Sequence, residues 1–277
     1  MTDRYAVIGN PIAHSKSPLI HSGFAREAAQ DLEYTKIEGP LGGFAGAVDA
    51  FRAAGGRGLN VTVPFKLDAC AYATDLSERA RAAGAANALK FEGDRVVAEN
   101  FDGVGLVRDI THNLGQPLRG KKVLLLGAGG ATRGAVLPIL AQDPAQLFVA
   151  NRTVAKAVSM VNQFRANGAS ADVLAGGGYA DLGTNRFDVV INATSASLTA
   201  DLPPLPASAF EPNGLAYDMV YGKGLTPFLK LAQQAGVKKV ADGVGMLVEQ
   251  AAEAFEWWRG VRPNTQTMIA QLTVPLV

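Results

Sequence analysis

The sequence predicts an α/β protein of two domains, and three observations carry that reading. Short apolar runs, Val123–Leu126 and the DVVIN stretch at Asp188–Asn192, have the pattern of strands buried on both faces of a parallel sheet. Helical patterns alternate with strand patterns along the chain, as layered α/β folds require. Gly127, Gly129 and Gly130 then follow the first of those runs directly, and a helical pattern begins at about Ala131.

In chain order, Tyr5–Gly9 reads as a first buried strand, broken by Asn10-Pro11. The following HSKSPLIHSGFAREAAQ has a helix start, with Ser17 as the capping hydroxyl and Pro18 at the first helical position. Leu19, Ile20, Phe24 and Ala28 give that helix an apolar face. Capping accounts for Ser17 but leaves Ser15 and Lys16 over, and hydroxyls with an amine at a helix N-terminus suit a carboxylate ligand. Tyr34–Glu38 is a second strand, Phe44–Ala54 a helix, and Gly58–Val63 a third strand closed by Pro64. Lys66 opens the next helical stretch, where the helix dipole disfavours a cation. It is therefore a candidate for proton transfer, against the plain alternative of a surface lysine. Ser77–Gly84 is a short helix, and Ala86–Phe91 with Arg95–Glu99 a hairpin turning at Gly93-Asp94. Asp102 has the chemistry and position to cap a helix over Val104–Leu114, and Asn87 and Asn100 sit at strand ends where turn formers are common.

Gly115–Gly120 is a turn-rich crossing into a second domain. Strand, glycine turn and helix start together form an anion site there, because the first N–H groups of a helix lack internal partners and its dipole favours phosphate. The match to G-x-G-x-x-G is partial, since Thr132 occupies the third glycine position. A glycine turn that merely packs a helix on a sheet is the plain alternative. Gln146–Ala150 is the second strand of this domain and ends in Asn151-Arg152-Thr153. A site for NAD usually has an acid about 20 residues beyond the glycines; Asn151 lies 22 residues after Gly129 and is uncharged. Arg152 and Lys156 offer cations for a 2′-phosphate, and Thr153 a hydroxyl and a helix cap, so NADP is the expected cofactor. Thr153–Ala166 reads as a helix, Ala171–Leu174 as a strand, and Ala193-Thr194-Ser195 as small residues facing the cofactor at a strand end. Beyond the proline-rich Leu202–Pro206, strands are expected at Leu215–Val220 and Lys239–Ala241, with a helix over Thr226–Ala235 between them. Two more helices, Met246–Trp258 and Thr267–Leu272, are expected to fold back on the first domain.

Composition sets outer bounds. The chain has 277 residues, 48% hydrophobic and 18% charged, which is ample for two cores. With 26 basic and 25 acidic residues, its net charge of +1 points to neither a nucleic-acid nor a membrane partner. One cysteine, Cys70, allows no internal disulfide and fits a reducing cytoplasm. The start of the chain runs into a strand without a basic-then-apolar leader, and a cytoplasmic protein is expected. His14, His21 and His112 are too scattered to suggest a metal.

The motifs together resemble one family. GNPIAHSKSPLIH, NVTVPFK, GAANAL, NFDGVGL, GAGGATRG, NRT, INATS, YDMVYGKGLTP and ADGVGMLVEQAA are similar, in content and order from Gly9 to Ala252, to the shikimate dehydrogenases. The resemblance implies reversible, NADP-dependent interconversion of 3-dehydroshikimate and shikimate in aromatic amino-acid biosynthesis, by a monomer or homodimer. It implies an N-terminal α/β substrate domain over residues 1–103, completed by 244–277, and a Rossmann-type NADP domain over 104–243. Lys66 and Asp102 would form the catalytic pair. Ser15, Ser17 and Tyr221 would hold the substrate carboxylate, and Thr62, Asn87 and Gln250 its ring hydroxyls. Gly127, Gly129, Gly130 and Ala131 would carry the pyrophosphate, Asn151, Arg152, Thr153 and Lys156 the 2′-phosphate, with Thr194 and Gly243 also on the cofactor. The chain departs from the family's usual pattern at Phe101, where threonine is common, at Ser195-Ala196-Ser197, and at Lys156, where arginine is frequent. Phe101 is thereby expected to bring a ring beside the site and reshape it. Quinate activity is the alternative within the family; a regulatory NADP-binding protein without catalysis is the alternative outside it.

Overall fold

Among the described residues, two six-stranded sheets organise the chain, one in each of two units. The units are Met1–Gly105 with Leu247–Gln271, and Leu106–Met246 with Leu272–Val277. The computed structural model describes residues 2–194, 202–222 and 224–276.

The first unit contains β1 (Asp3–Gly9), α1 (Ser17–Glu27), β2 (Leu32–Glu38), α2 (Phe44–Ala53), β3 (Gly56–Val61), α3 (Lys66–Tyr72), β4 (Asp75–Leu76), α4 (Glu78–Ala83), β5 (Ala88–Glu92), β6 (Arg95–Glu99) and the start of α5 (Asp102–Arg108). Its strand order is β2-β1-β3-β5-β6-β4. β1 runs parallel to β2 and β3, while β5 is antiparallel to both β3 and β6. The carboxyl ends of β1, β3 and β6 therefore share one edge of the sheet with the amino end of β5. Ile8, Leu59, Val61 and Leu89 pack with Phe44, Val48 and Phe65 in one cluster. A second cluster holds Tyr5, Val7, Ile12 and Tyr34, with Trp258 of α9 (Val244–Arg259) against it. Trp258 Nε1 also donates to Leu89 O at 3.1 Å. Arg262 joins Glu249 and Glu253 in ion pairs of 2.6 and 2.5 Å, tying the segment before α10 (Gln266–Leu272) to α9.

The second unit contains β7 (Lys122–Leu126), α6 (Gly130–Leu140), β8 (Gln146–Ala150), α7 (Val154–Ala166), β9 (Leu174–Gly177), β10 (Phe187–Asn192), β11 (Phe210–Asp218), α8 (Pro227–Gln234) and β12 (Lys239–Asp242). All its strand pairs are parallel, in the order β12-β11-β10-β7-β8-β9. Numbered within the unit, that is the 3-2-1-4-5-6 order of a dinucleotide-binding sheet, whose direction of winding reverses between β7 and β10.

Several local expectations need correction. α1 begins at Ser17 itself, with Lys16 before it and no side-chain cap, because Ser15 Oγ instead accepts the Ser17 N–H at 3.3 Å. The strand expected at Ala171–Leu174 lies at Leu174–Gly177, where Gly176 lets it approach α7: a Cβ there would stand 2.7 Å from Val161 Cγ2. The helix expected over Val104–Leu114 changes to a π-turn at Asp109–Asn113, whose buried Asp109 carboxylate accepts Tyr217 Oη (2.8 Å) and Asn113 Nδ2 (2.9 Å). The two-residue β4 carries no period that a sequence pattern could reveal. Residues 272–277 group with the second unit rather than the first, and Leu276 packs against that unit's core.

His21 of α1 is buried, its ring stacked on Tyr34 with centroids 4.3 Å apart and planes 3° from parallel. Burial pulls its pKa down to about 3. The folded chain thus keeps this ring neutral where the unfolded chain takes up a proton, so stability present above about pH 6.5 is lost as the pH falls. The expected loss from this group is about 2 kcal/mol between pH 7 and pH 5. Urea unfolding of the parent and His21→Phe at both pH values should show that difference removed in the variant. Equal pH dependence in the two proteins would show that His21 is not the responsible group.

Candidate active site

The shared edge of the first sheet gathers segments that are far apart in sequence. The turn after β1 carries Ser15 and leads to Ser17; the turn after β3 carries Thr62 and leads to Lys66. Asn87 immediately precedes β5, and Asp102 follows β6 at the start of α5.

Lys66 is the first residue of α3, and its carbonyl accepts the Ala86 N–H at 2.9 Å, which binds the two turns together. Lys66 Nζ lies 2.5 Å from Asp102 Oδ2, with the side chains 30% and 13% exposed. The other carboxylate oxygen, Oδ1, accepts from Asn87 Nδ2 at 2.9 Å. Asn87 Nδ2 also donates to Gln250 Oε1 at 3.1 Å, and Gln250 Nε2 to Leu247 O at 2.8 Å. Lys66, Asp102, Asn87 and Gln250 therefore form one bonded series. The capping role expected for Asp102 is not what its side chain does: the Asp102 N–H is accepted by Asn100 Oδ1 at 3.1 Å, and both Asp102 carboxylate oxygens face the series.

Ser15 Oγ and Ser17 Oγ lie 3.2 Å apart. Lys36 Nζ holds the same turn by donating to Ala13 O at 2.5 Å. Thr62 donates its N–H to Ile8 O, and its methyl fills the space beside Gly9, where a Cβ would stand 2.5 Å away. Only a glycine permits that approach.

Phe101 does not stand beside these groups as expected. Its ring is buried with Ala88 and Ala254, meets the edge of Trp257 at 5.7 Å, and lies under the Arg79 guanidinium at 5.7 Å. Phe101 enters the core while the side chains of Asn100 and Asp102 on either side of it make hydrogen bonds at the turn.

In the second unit, Gly127 follows β7 with φ +108°, and a Cβ there would stand 3.2 Å from Thr194 Cγ2. A Cβ on Gly129 or Gly130 would meet nothing within 4 Å. Packing does not require those two glycines. What they leave is bare backbone at the N-terminus of α6, the surface a phosphate binds, and in this the turn fits a dinucleotide. Ala131 is exposed in the first turn of that helix. Thr132, at the third fingerprint position, is fully buried, and its hydroxyl has no hydrogen-bond partner. Asn151 Nδ2 donates to Thr153 O at 2.9 Å, while Thr153 precedes α7 without the expected cap from its hydroxyl. Arg152 and Lys156 are both exposed, on the turn after β8 and the first turns of α7.

Thr194 Oγ1 donates to Asn192 Oδ1 at 2.7 Å, next to the glycine turn. Gly243 lies against the backbone of Met219, where a Cβ would be 2.3 Å from the carbonyl oxygen, so close packing accounts for this glycine. Tyr221 belongs to this unit, beyond β11, and is 37% exposed. Ser195, Ala196 and Ser197 lie outside the described residues. Among the described residues, no cluster of three or more His, Cys, Asp or Glu could hold a metal ion, and no helix is long and apolar enough to cross a membrane.

Comparison with known proteins gives one consistent result. A model of the shikimate dehydrogenase substrate binding domain matches residues 7–89, one of shikimate / quinate 5-dehydrogenase matches 109–200, and one of the shikimate 5′-dehydrogenase C-terminal domain matches 243–273. The shikimate dehydrogenase (NADP(+)) of Nitrosospira multiformis is 57% identical over 98% of both chains, and that of Dechloromonas aromatica 56% over the whole of both. Among solved structures, the Ael1 enzyme from Pseudomonas putida superposes with a TM-score of 0.95 at 59% identity, over 100% of each chain. The shikimate 5-dehydrogenase of Thermus thermophilus, solved with NADP(H) and shikimate, gives 0.85 at 31% identity, over 97% of this chain and 98% of that one.

The position of Phe101 has a measurable consequence. Phe101→Ala should destabilise the protein by about 3–5 kcal/mol in denaturant unfolding, the cost of emptying a buried aromatic site. A loss below about 1 kcal/mol would place the ring outside the core.

Proposed function

The chain belongs to the shikimate dehydrogenase family, and from that premise we propose that it interconverts 3-dehydroshikimate and shikimate, with NADP carrying the hydride. The observation that supports this most directly is the Lys66–Asp102 contact of 2.5 Å, held from its far side by Asn87. Oxidation of a secondary alcohol releases a hydride and a proton. NADP, when bound, supplies or accepts the hydride.

The Lys66–Asp102 pair takes the hydroxyl proton on oxidation and returns it on reduction, the two acting as one acid–base unit. Asn87 and Gln250 continue the bonded series and, with Thr62, orient the ring hydroxyls. Ser15 and Ser17, whose hydroxyls lie 3.2 Å apart, bind the substrate carboxylate together with Tyr221. In the second unit the turn Gly127–Ala131 takes the pyrophosphate and Thr194 and Gly243 border the rest of the cofactor. Asn151, Arg152, Thr153 and Lys156 receive the adenosine 2′-phosphate, and the match of residues 7–89 to a substrate binding domain supports placing the substrate in the first unit. A cytoplasmic location and a monomeric or dimeric state belong to the same reading; the single cysteine supports the location. Following nicotinamide absorbance with shikimate or quinate against NADP or NAD tests the whole assignment. No turnover of shikimate with NADP would overturn it.

Two variants test its parts. Lys66→Ala should lose about 10²–10⁴ in kcat, while KM for shikimate changes far less if the lysine acts mainly in the transition state. A folded variant with parental kcat would remove the acid–base assignment. Arg152→Ala should weaken NADP binding by roughly tenfold or more, as a lost charge-assisted hydrogen bond implies, and leave NAD nearly unaffected. Equal weakening for both cofactors would count against a 2′-phosphate contact at Arg152.

A further inference from the structure

The turn that presents Asp102 is held by side chains. Beyond the Ala88–Glu99 pair of β5 and β6, three successive N–H groups each point at a side-chain oxygen. Asn100 N–H donates to Glu99 Oε1 (2.7 Å), Phe101 N–H to Asn87 Oδ1 (2.9 Å), and Asp102 N–H to Asn100 Oδ1 (3.1 Å). Asn100 Nδ2 in turn donates to Ala85 O at 2.9 Å, two residues before Asn87.

Glu99 is 8% exposed, and a buried carboxylate must be matched by donors. Arg79 supplies two, at 3.1 and 2.7 Å, and Ser77 Oγ a third at 2.7 Å. The fourth is the Asn100 N–H already described. A neutral residue at 99 would close the hairpin without this set of partners. The arrangement makes sense if the turn has to be fixed in place.

We propose that Glu99 and Asn100 are positioning residues for the Lys66–Asp102 pair. Glu99, matched by Arg79, fixes the backbone at Asn100. Asn100 then sets the direction in which the start of α5 presents the Asp102 carboxylate to Lys66 and Asn87. The inference rests on the acid–base reading of that pair. A misplacement of about 1 Å at a reacting group can cost roughly 100-fold in rate, and the two Asp102 contacts, at 2.5 and 2.9 Å, leave little slack.

The test compares the parent, Asn100→Ala, Asn100→Ser and Glu99→Gln, each checked for folding by circular dichroism and thermal melting. Shikimate oxidation with NADP is followed as a function of pH. Asn100→Ala should lower kcat about tenfold to hundredfold, displace the pH at which kcat falls, and leave KM for NADP within about twofold. Asn100→Ser restores an oxygen that can reach the same N–H and should recover much of the lost kcat. Parental kcat and pH profile in a folded Asn100→Ala, with only a lowered melting temperature, would overturn the proposal. So would a serine variant no better than alanine. Should the Asn100 variants fail to fold, the near-isosteric Glu99→Gln decides: a reduced kcat with a displaced pH profile supports the proposal, and parental behaviour in both overturns it. Absence of turnover in the parent would instead overturn the proposed function, and this inference with it.

Discussion

The Asp102 carboxylate stands between the Lys66 amine on one oxygen and the Asn87 amide on the other, and the first unit is arranged to make that possible. The three residues come from three turns, and no two are near in sequence. They meet because β5 runs against β3 and β6, so that its amino end lies at the edge where the other strands release their chains. A fully parallel sheet would have sent Asn87 to the opposite edge. With Asp102 largely shielded from water, each oxygen needs a partner of its own, and loss of either would leave a poorly solvated charge.

The second unit solves a different problem. Its sheet is parallel throughout, and the reversal between β7 and β10 opens the position where Gly127 and Thr194 sit. Gly129 and Gly130, at the N-terminus of α6, expose backbone N–H groups that any Cβ would partly cover. Charge enters only one strand away, at Arg152 and Lys156. On the proposed reading, affinity for phosphate and choice between dinucleotides fall to separate turns, and either could change without the other.

Strands and helices with strong periods were legible in the sequence, as were the residues of the bonded series, because the motifs that carry them are contiguous. What escaped was the relation between motifs. Ser17 and Asp102 both have the chemistry of helix caps, and local preference put them in that role. In the structure the oxygens that accept the first N–H groups come from Ser15 and Asn100, each two residues earlier. Asp102 is engaged by a lysine 36 positions away, a contact no local rule contains. Phe101 misled for a related reason: its neighbours in sequence belong to the site, but its ring belongs to the core with Trp257. The ion pair of Glu99 with Arg79 joins residues 20 apart and had no sequence signal at all. Glycines hid β9, whose residues have too little side chain to show a strand pattern.

The first unit is discontinuous, and that has a consequence for how the chain is made. Residues Leu247–Gln271 contribute Trp258 over Tyr5 and Val7, and Gln250 beside Asn87. As the polypeptide leaves the ribosome, the sheet from β1 to β6 is synthesised before the stretch Leu106–Met246, and most of its covering helix follows only after that stretch. During that interval, on the order of ten seconds at typical synthesis rates of roughly 5–20 residues per second, the aromatic face of Tyr5, Tyr34 and His21 waits without its cover. The sheet is thus translated before Leu106–Met246 and covered only after it, so the nascent chain carries an open apolar surface for as long as that stretch takes to be made.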